Sequence, residues 1–422
     1  MQASDLLPRE IAEFEEESDP LLAATIEFEE VAQHLDLEDW IVARLRHSER
    51  ELTLNLPLRR DNGDPITVGA MRVQHYTGGQ PSLGPVQWSR TAHPQYLRAQ
   101  AMDRTWQSAL LELPLGGAAG AIWFDPAQLN ERESRELAHA YAHGLRGVGG
   151  ALSDILAPGS GCNEQTMAWM FDSQAPPEPH RLAAAVGKPE TLWGIPGYYT
   201  ATAQGIVCWL QQSLESLAGQ RVILQGFGET GSALASLLAT TGARLISVAD
   251  VSGGLHNPNG LDAGALRQHV QHQGVLFGYP QAEAICNAEV LETECDVLIL
   301  AAAERQITIG NASRVRSRLV IEATRNSVTR AAEQALLARG ISLVPHLIAT
   351  AGTVLAGFAE WSWNVHSELA APPELSTVIA ARMQRLREAI DATAREHAVP
   401  FRQAALILAI KRIAQQMRLT RI

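Results

Sequence analysis

Arg221-Val222-Ile223-Leu224-Gln225-Gly226-Phe227-Gly228-Glu229-Thr230-Gly231 is the stretch that decides the fold. An apolar run with strand character ends in a GxGxxG turn, and helix-forming residues follow. Asp250 closes the next apolar run, 19 residues past Gly231. In that setting the first glycine permits a tight turn and the second lets the backbone approach a pyrophosphate. The third lets the helix pack on the strand. The helix start offers free N–H groups and positive potential to phosphates. Gly226, Phe227, Gly228, Glu229, Thr230 and Gly231 are therefore candidate dinucleotide contacts. Asp250 is the candidate acceptor for the adenosine ribose hydroxyls, a choice that favours NAD over NADP. A glycine turn with no ligand is the plainer alternative.

Working outward, further apolar runs alternate with helical segments: ARLISVAD from Ala243, CDVLILAA from Cys295 and RLVIEA from Arg318. That alternation predicts a parallel sheet covered by helices on both faces. Upstream the pattern changes. Pro20 to Leu45 has helical periodicity and predicts one long helix. Glu51 to Leu58 and Ile66 to His75 alternate around the turn Asp61-Asn62-Gly63-Asp64, which predicts a hairpin. Pro94 to Leu113, Asn130 to Leu145 and Asn163 to Met170 read as helices, with a short strand around Leu152 to Leu156. Gly116-Gly117-Ala118-Ala119-Gly120 reads as a tight small-residue loop. The Pro- and Gly-rich stretch from Asp172 to Pro196 marks a boundary. The fold class is α/β, with two domains. Residues 1–190 form the first domain, completed by amphipathic C-terminal helices over 376–422 that pack back on it or span the cleft. Residues 197–365 form a Rossmann-like NAD-binding domain.

The bulk numbers narrow the classes. The chain has 422 residues, 46% of them hydrophobic, and a formal net charge of −12. So acidic a chain is a poor partner for nucleic acid or for an anionic membrane. Asp5 to Asp19 holds seven carboxylates and predicts a solvated, frayed segment. No basic-then-apolar leader and no run of membrane-spanning length stands out, so a cytoplasmic location is expected. Cys162, Cys208, Cys286 and Cys295 form no CxxC pair and read as reduced core thiols. His139 and His143 are spaced as i, i+4 but lack a third ligand, so no metal site is expected.

The chain resembles the glutamate/leucine/phenylalanine/valine dehydrogenase family from about Asp19 to Asn364. The runs that carry the likeness are MRVQHYTGG from Met71, RTWQSALLELPLGG from Arg104, NEQTMAWMFD from Asn163, QGFGETG from Gln225, GGLHNPNGLD from Gly253 and Glu360-Trp361. The resemblance implies an N-terminal substrate domain, a C-terminal Rossmann domain, a cleft that closes on an amino acid, and hexamers built through the N-terminal domain.

The departures from the family pattern fall where the resemblance places the chemistry. Leu83 stands where a lysine grips a substrate carboxylate, and Gln107 where a second lysine follows Thr105-Trp106. Ala119 replaces the catalytic lysine of the glycine-rich segment. Gly159, after Ala157-Pro158, replaces the proton-shuttling aspartate. Thr202 matches a cofactor-contacting threonine, but Ala203 follows it in place of glycine. Thr350 replaces an asparagine, and Gly357 a substrate-contacting serine. The whole chain holds two lysines, Lys188 and Lys411, among 34 basic residues. Drift from lysine to arginine would account for the scarcity, but not for a leucine, a glutamine and an alanine.

Oxidative deamination needs a fixed cation for the α-carboxylate, an amine of lowered pKa and a carboxylate that moves protons. Each acid or base group is typically worth ~10²–10⁴-fold in rate. Arginine cannot act as the exchanging amine, because its guanidinium stays charged. It can, however, hold a carboxylate. Arg72, Arg90 and Arg104 lie near the relevant segments and are expected at the surface or in interfaces. The favoured expectation is a non-catalytic regulatory or structural subunit of an amino-acid (glutamate) dehydrogenase complex. Its partner would be an active glutamate dehydrogenase paralogue in a hetero-hexamer, or copies of itself, with an amino-acid effector possible. The alternative is an active NAD-dependent oxidoreductase of the same family with an altered substrate.

Overall fold

The computed structural model describes residues 19–173, 180–366 and 371–420. The acidic stretch up to Ser18 and part of the Pro-rich boundary, residues 174–179, lie outside the described residues. The chain divides into two compact units. The first runs to Tyr198 and adds Val354–Leu375 and Leu406–Ile422. The second comprises Tyr199–Thr353 and Ser376–Ala405.

The first unit opens with α1 (Pro20–His34) and α2 (Asp39–Leu45). These are two helices where periodicity had suggested one. Asp19 caps α1, its carboxylate accepting from the Leu21 and Leu22 N–H groups. Asp36, with φ 48, turns the chain left-handed between the helices. A helix cannot run through such a residue, and apolar spacing does not register the break. Next come β1 (Arg50–Arg59), β2 (Pro65–Gln74), β3 (Ser82–Trp88), α3 (Pro94–Leu110), β4 (Gly116–Ile122), α4 (Glu131–Gly144), β5 (Asp154–Pro158) and α5 (Glu164–Ser173).

The predicted hairpin is present, with Arg50 opposite Gln74 and Arg59 opposite Pro65. The five strands run in the order β1-β2-β4-β3-β5. β2 is antiparallel to both β1 and β4, while β3 is parallel to β4 and to β5.

Two expectations fail here. β3 was not foreseen, since Gly84 and Pro85 interrupt its pattern. Gly116–Gly120 is a buried strand and not a loop. The small residues serve close approach: a Cβ on Gly117 would lie 2.2 Å from the Ala101 carbonyl oxygen on α3, and one on Gly84 would lie 1.6 Å from that of Ala118. One face of the sheet packs Val86, Ile122, Leu137, Tyr141, Met167 and Met170 together. On the other face Met71, Val73, Ala119 and Ala121 meet Leu97 and Ala101 of α3.

The second unit contains α6 (Ala201–Ser213), β6 (Arg221–Gln225), α7 (Glu229–Thr240), β7 (Arg244–Asp250), β8 (Gly253–His256), α8 (Ala263–Gln273), β9 (Glu283–Ile285), α9 (Asn287–Glu292), β10 (Val297–Leu300), α10 (Ile309–Ala312), β11 (Leu319–Glu322), α11 (Arg330–Ala338), β12 (Ser342–Val344) and α12 (His346–Ala349). Strand order is β12-β11-β10-β6-β7-β8-β9. The pairs from β12 to β7 are parallel, as the alternation predicts. β8 and β9 extend the sheet with antiparallel pairs.

α13 (Ala351–His366) passes into the first unit at Val354. α14 (Leu375–His397) lies almost wholly in the second unit, and α15 (Phe401–Thr420) is shared between the two. The helical C-terminal stretch expected over 376–422 is present as α14 and α15. Ala398, with φ 53, and Pro400, which has no N–H, break it. Within the second unit Arg402 anchors the turn to buried Glu322 (2.7 Å) and to Glu333.

Candidate functional site

In the first unit the altered positions gather around β3, α3 and α13. Leu83 is buried on β3 and pairs in register with Gly117 on one side and Ile155 on the other. A Cβ placed on Gly357 of α13 would lie 2.9 Å from Leu83 Cδ2, and 3.6 Å from both the Tyr198 hydroxyl and Val186 Cγ2. The leucine methyl therefore occupies the room that a side chain at 357 would need. Two departures from the family pattern, far apart in sequence, are one packing event.

Gln107 is buried on α3, and its Oε1 accepts from Arg104 Nη1 at 2.6 Å. Arg104 is half-buried and turned toward Gln107 along the same face of α3. Desolvation lowers its pKa, while Tyr198, Asp103 and Tyr96 act in the opposite sense. Arg72 is not at the surface. It is fully enclosed, paired with Asp154 at 2.6 Å and bonded to the carbonyls of Gly84, Pro85 and Ile155. Its donors hold β3 and β5 in place and are spent on structure. Arg90 is exposed, as expected.

Ala119 lies in the closed layer under α3. Gly159 donates its N–H to the Val86 carbonyl at 2.9 Å, and a Cβ there would come within 2.7 Å of the same oxygen. Any side chain at 159 must displace backbone.

Lys188 invites attention as a stand-in amine, being one of two lysines in the chain. Its Nζ donates to Glu360 Oε1 and to the Ala185 carbonyl, each at 2.6 Å, and the side chain has no exposure. Burial lowers its pKa, and the Glu360 carboxylate opposes that shift. Glu360 also accepts from the Gly187 and Ile195 N–H groups, so the pair fastens the 187–195 segment to α13. No signal in the sequence pointed to this pairing.

Of the histidines noted in the sequence, His75 is the one held by two hydrogen-bonding contacts. His75 is enclosed, with Nε2 2.8 Å from the Leu45 carbonyl and Nδ1 3.0 Å from Thr105 Oγ1. Burial pushes its pKa down to about 4. His139 lies 3.8 Å from Asp172. Among the described residues no group of three His, Cys, Asp or Glu side chains could hold a metal. Cys162 and Cys295 are buried, but Cys286 is exposed and Cys208 intermediate, so the cysteines are not uniformly core thiols.

In the second unit the glycine loop has the shape a pyrophosphate requires. Gly226 has φ 105, and a Cβ on it would lie 2.5 Å from the Ala301 carbonyl. A Cβ on Gly231 would lie 2.0 Å from the Gly226 oxygen, whereas one on Gly228 would meet nothing within 4 Å. The turn and the helix contact are thus tight, and the approach at Gly228 is open. Phe227 is buried, while Glu229 and Thr230 begin α7 with no side-chain cap.

The ribose end fits less well. Asp250 Oδ1 accepts from the Ser252 N–H (2.7 Å) and from the Ser252 hydroxyl, and Oδ2 accepts from the Leu276 N–H (2.7 Å). Little acceptor capacity remains for a ribose. Thr202 shares its hydroxyl with Thr353, beside buried Ala203, and Thr350 donates to the His346 carbonyl at 2.7 Å.

Comparison with known proteins agrees with this architecture. Residues 48–175 match the Glu/Leu/Phe/Val dehydrogenase dimerisation domain, and residues 194–421 match the Glutamate/Leucine/Phenylalanine/Valine dehydrogenase model. Glutamate dehydrogenase A2 of Halobacterium salinarum is 34% identical over 354 residues, which cover 82% of this chain and 85% of that protein. A hetero-hexameric glutamate dehydrogenase from Thermus thermophilus, solved in a Leu-bound form, superposes with a TM-score of 0.89 at 30% identity, covering 95% of this chain and 97% of that one. Glutamate dehydrogenase from Peptoniphilus asaccharolyticus gives 0.80 at 25% identity, covering 95% and 99%. With both domains matched in order, this chain belongs to the Glutamate/Leucine/Phenylalanine/Valine dehydrogenase family.

Proposed function

We propose that the chain is a non-catalytic regulatory or structural subunit of a glutamate dehydrogenase complex. It would assemble with an active paralogue from the same cell in a hetero-hexamer and respond to an amino-acid effector. One observation carries this reading. At the four positions where family resemblance puts amines and an acid, the side chains have nothing to titrate, and three of those places are closed. Leu83 fills the space at Gly357, Ala119 lies in a packed layer, and Gly159 abuts the Val86 carbonyl. Lys188 is committed to Glu360 and cannot substitute.

The relative from Thermus thermophilus supports the assembly, being hetero-hexameric, and supports an amino-acid effector, being Leu-bound. Related subunits can share a ring because they keep the same interface surfaces. We also infer a cytoplasmic location; among the described residues no helix is long and apolar enough to cross a membrane.

NAD remains the cofactor that the second unit suits best. Backbone from Gly226 to Gly231 would hold its pyrophosphate, with Phe227, Glu229 and Thr230 in the loop and Thr202 and Asp250 alongside. When bound, NAD supplies a hydride acceptor. The chain's own contribution would be to orient the dinucleotide, and the hydrogen bonds already made by Asp250 weaken it.

The test is co-purification of the native protein, followed by a glutamate oxidation assay with and without it. If it neither joins an active paralogue nor changes that enzyme's kinetics, the subunit reading fails. The open glycine loop favours a second reading, an oxidoreductase with an altered substrate. A flat NADH trace across amino, oxo and hydroxy acids would remove it.

A further inference from the structure

We propose that Arg325, paired with Glu304, closes the side of the second unit where the nicotinamide ribose of a dinucleotide would lie, so that NAD can seat only its adenosine diphosphate half. This limit rests on the NAD reading above. Topology sets the place. β7 lies on one side of β6 and β10 on the other, so the strand order reverses between β6 and β10. In such a sheet a dinucleotide lies across the carboxyl ends of the strands at the reversal, one nucleotide to each side. The glycine-loop side is built by β6, α7 and β7. The other side is built by the loops that leave β10 at Leu300 and β11 at Glu322.

Those two loops are stitched together. The Arg305 and Gln306 N–H groups donate to the Asn326 and Ser327 carbonyls, each at 2.8 Å, and the Ile307 N–H donates to the Ser327 carbonyl at 2.9 Å. Side chains complete the closure. Arg325 Nη1 lies 3.4 Å from Glu304 Oε1, and Arg325 is buried. Gln225, at the end of β6, donates from Nε2 to Gln306 Oε1 at 2.5 Å and ties the glycine-loop strand to the same loop. Arg305 and Asn326 both have left-handed backbone, with φ 55 and 47. Residues other than glycine hold that conformation where their surroundings impose it. A ribose entering here has to part a guanidinium from its carboxylate in a shielded place, which is costly. On the other side the approach at Gly228 meets nothing within 4 Å. The first half of the dinucleotide therefore has room, and the second does not.

Calorimetric titration of the full chain with ADP, NAD and nicotinamide mononucleotide tests this. Wild type is expected to bind NAD no tighter than ADP, and the mononucleotide about tenfold more weakly than either, or less still. Arg325→Ala should tighten NAD about tenfold relative to ADP. The ratio of the two affinities is the readout, because the lost charge acts on both pyrophosphates alike. Where Arg325→Ala does not fold, Glu304→Gln, which frees the guanidinium without removing it, should move the ratio in the same direction. An unchanged ratio in a folded Arg325→Ala overturns the closure. So does wild type binding NAD several-fold more tightly than ADP, an outcome that leaves the NAD reading standing. If neither ADP nor NAD binds wild type or variant, the glycine loop holds no nucleotide. The NAD reading then fails and takes the closure with it.

Discussion

Leu83 Cδ2 stands 2.9 Å from where a Cβ on Gly357 would be, so β3 and α13 share a single side-chain volume between them. Only one of the two positions can carry bulk without rearrangement. The clash involves the far end of a flexible side chain, which can move at modest cost. Gly357→Ala gains helix propensity of up to ~1 kcal/mol and loses a similar amount in displaced packing. We expect it to be near neutral alone and stabilising by about 1 kcal/mol in a Leu83→Ala background. Urea denaturation of the four members of the cycle measures the coupling.

Gly159 contrasts with Gly357, because its obstacle is the Val86 carbonyl, which cannot swing away. Gly159→Ala should destabilise by roughly 1–3 kcal/mol. Restoring the family pattern by Leu83→Lys, Gln107→Lys, Ala119→Lys and Gly159→Asp together should lower the denaturation midpoint and give no glutamate-dependent NADH formation. Turnover above the blank would mean that the site had not been closed by packing.

The hydrogen bonds at Asp250 predict weak NAD binding that a small change improves. Ser252→Ala removes the hydroxyl that engages Oδ1, freeing one acceptor site for ribose. Calorimetric titration should show NAD binding several-fold tighter, about 1 kcal/mol for one recovered hydrogen bond. Unchanged or weaker affinity would place the limit elsewhere, with the Glu229 charge at the start of α7 the next suspect.

His75 makes stability depend on pH. Its folded pKa is pushed down to about 4 by burial, from the ordinary histidine value of 6.5. The unfolded chain therefore binds the proton first as pH falls. The stabilisation is complete above pH 6.5 and is lost as the pH drops toward 4, by roughly 3 kcal/mol in total. A His75→Gln variant should show a flatter stability profile across that window. An unaltered profile would mean that the imidazole is not enclosed.

Lys188 and Glu360 form a buried pair whose halves are unequal in cost to remove. Glu360→Ala leaves an enclosed ammonium and unpaired Gly187 and Ile195 N–H groups, so a loss of about 3–5 kcal/mol is expected. Lys188→Met keeps the volume and leaves a carboxylate that still accepts two backbone N–H groups, so it should cost less. Thermal unfolding of the two variants gives the order directly.

The sequence by itself determined the parallel core of the second unit, β6, β7, β10 and β11, and the identity of the altered positions. A buried parallel sheet demands apolar runs, and a phosphate-binding turn demands glycine, so both leave local marks at Val222–Leu224 and Gly226–Gly231. The antiparallel strands β8 and β9, the breaks at Asp36 and Ala398, and the strand at Gly116–Gly120 leave none. A left-handed residue or a glycine needed for close approach is set by its neighbours in space.

The same division holds at the site. Residue identities revealed that Leu83, Gln107, Ala119 and Gly159 carry no amine or acid. Tertiary structure decided what fills those places: a leucine methyl set against Gly357 from 274 residues away, a guanidinium bonded to Gln107, and a lysine locked to Glu360. Composition and spacing report what a side chain can do. Whether it is free to do so depends on burial and on the partner that reaches it through space.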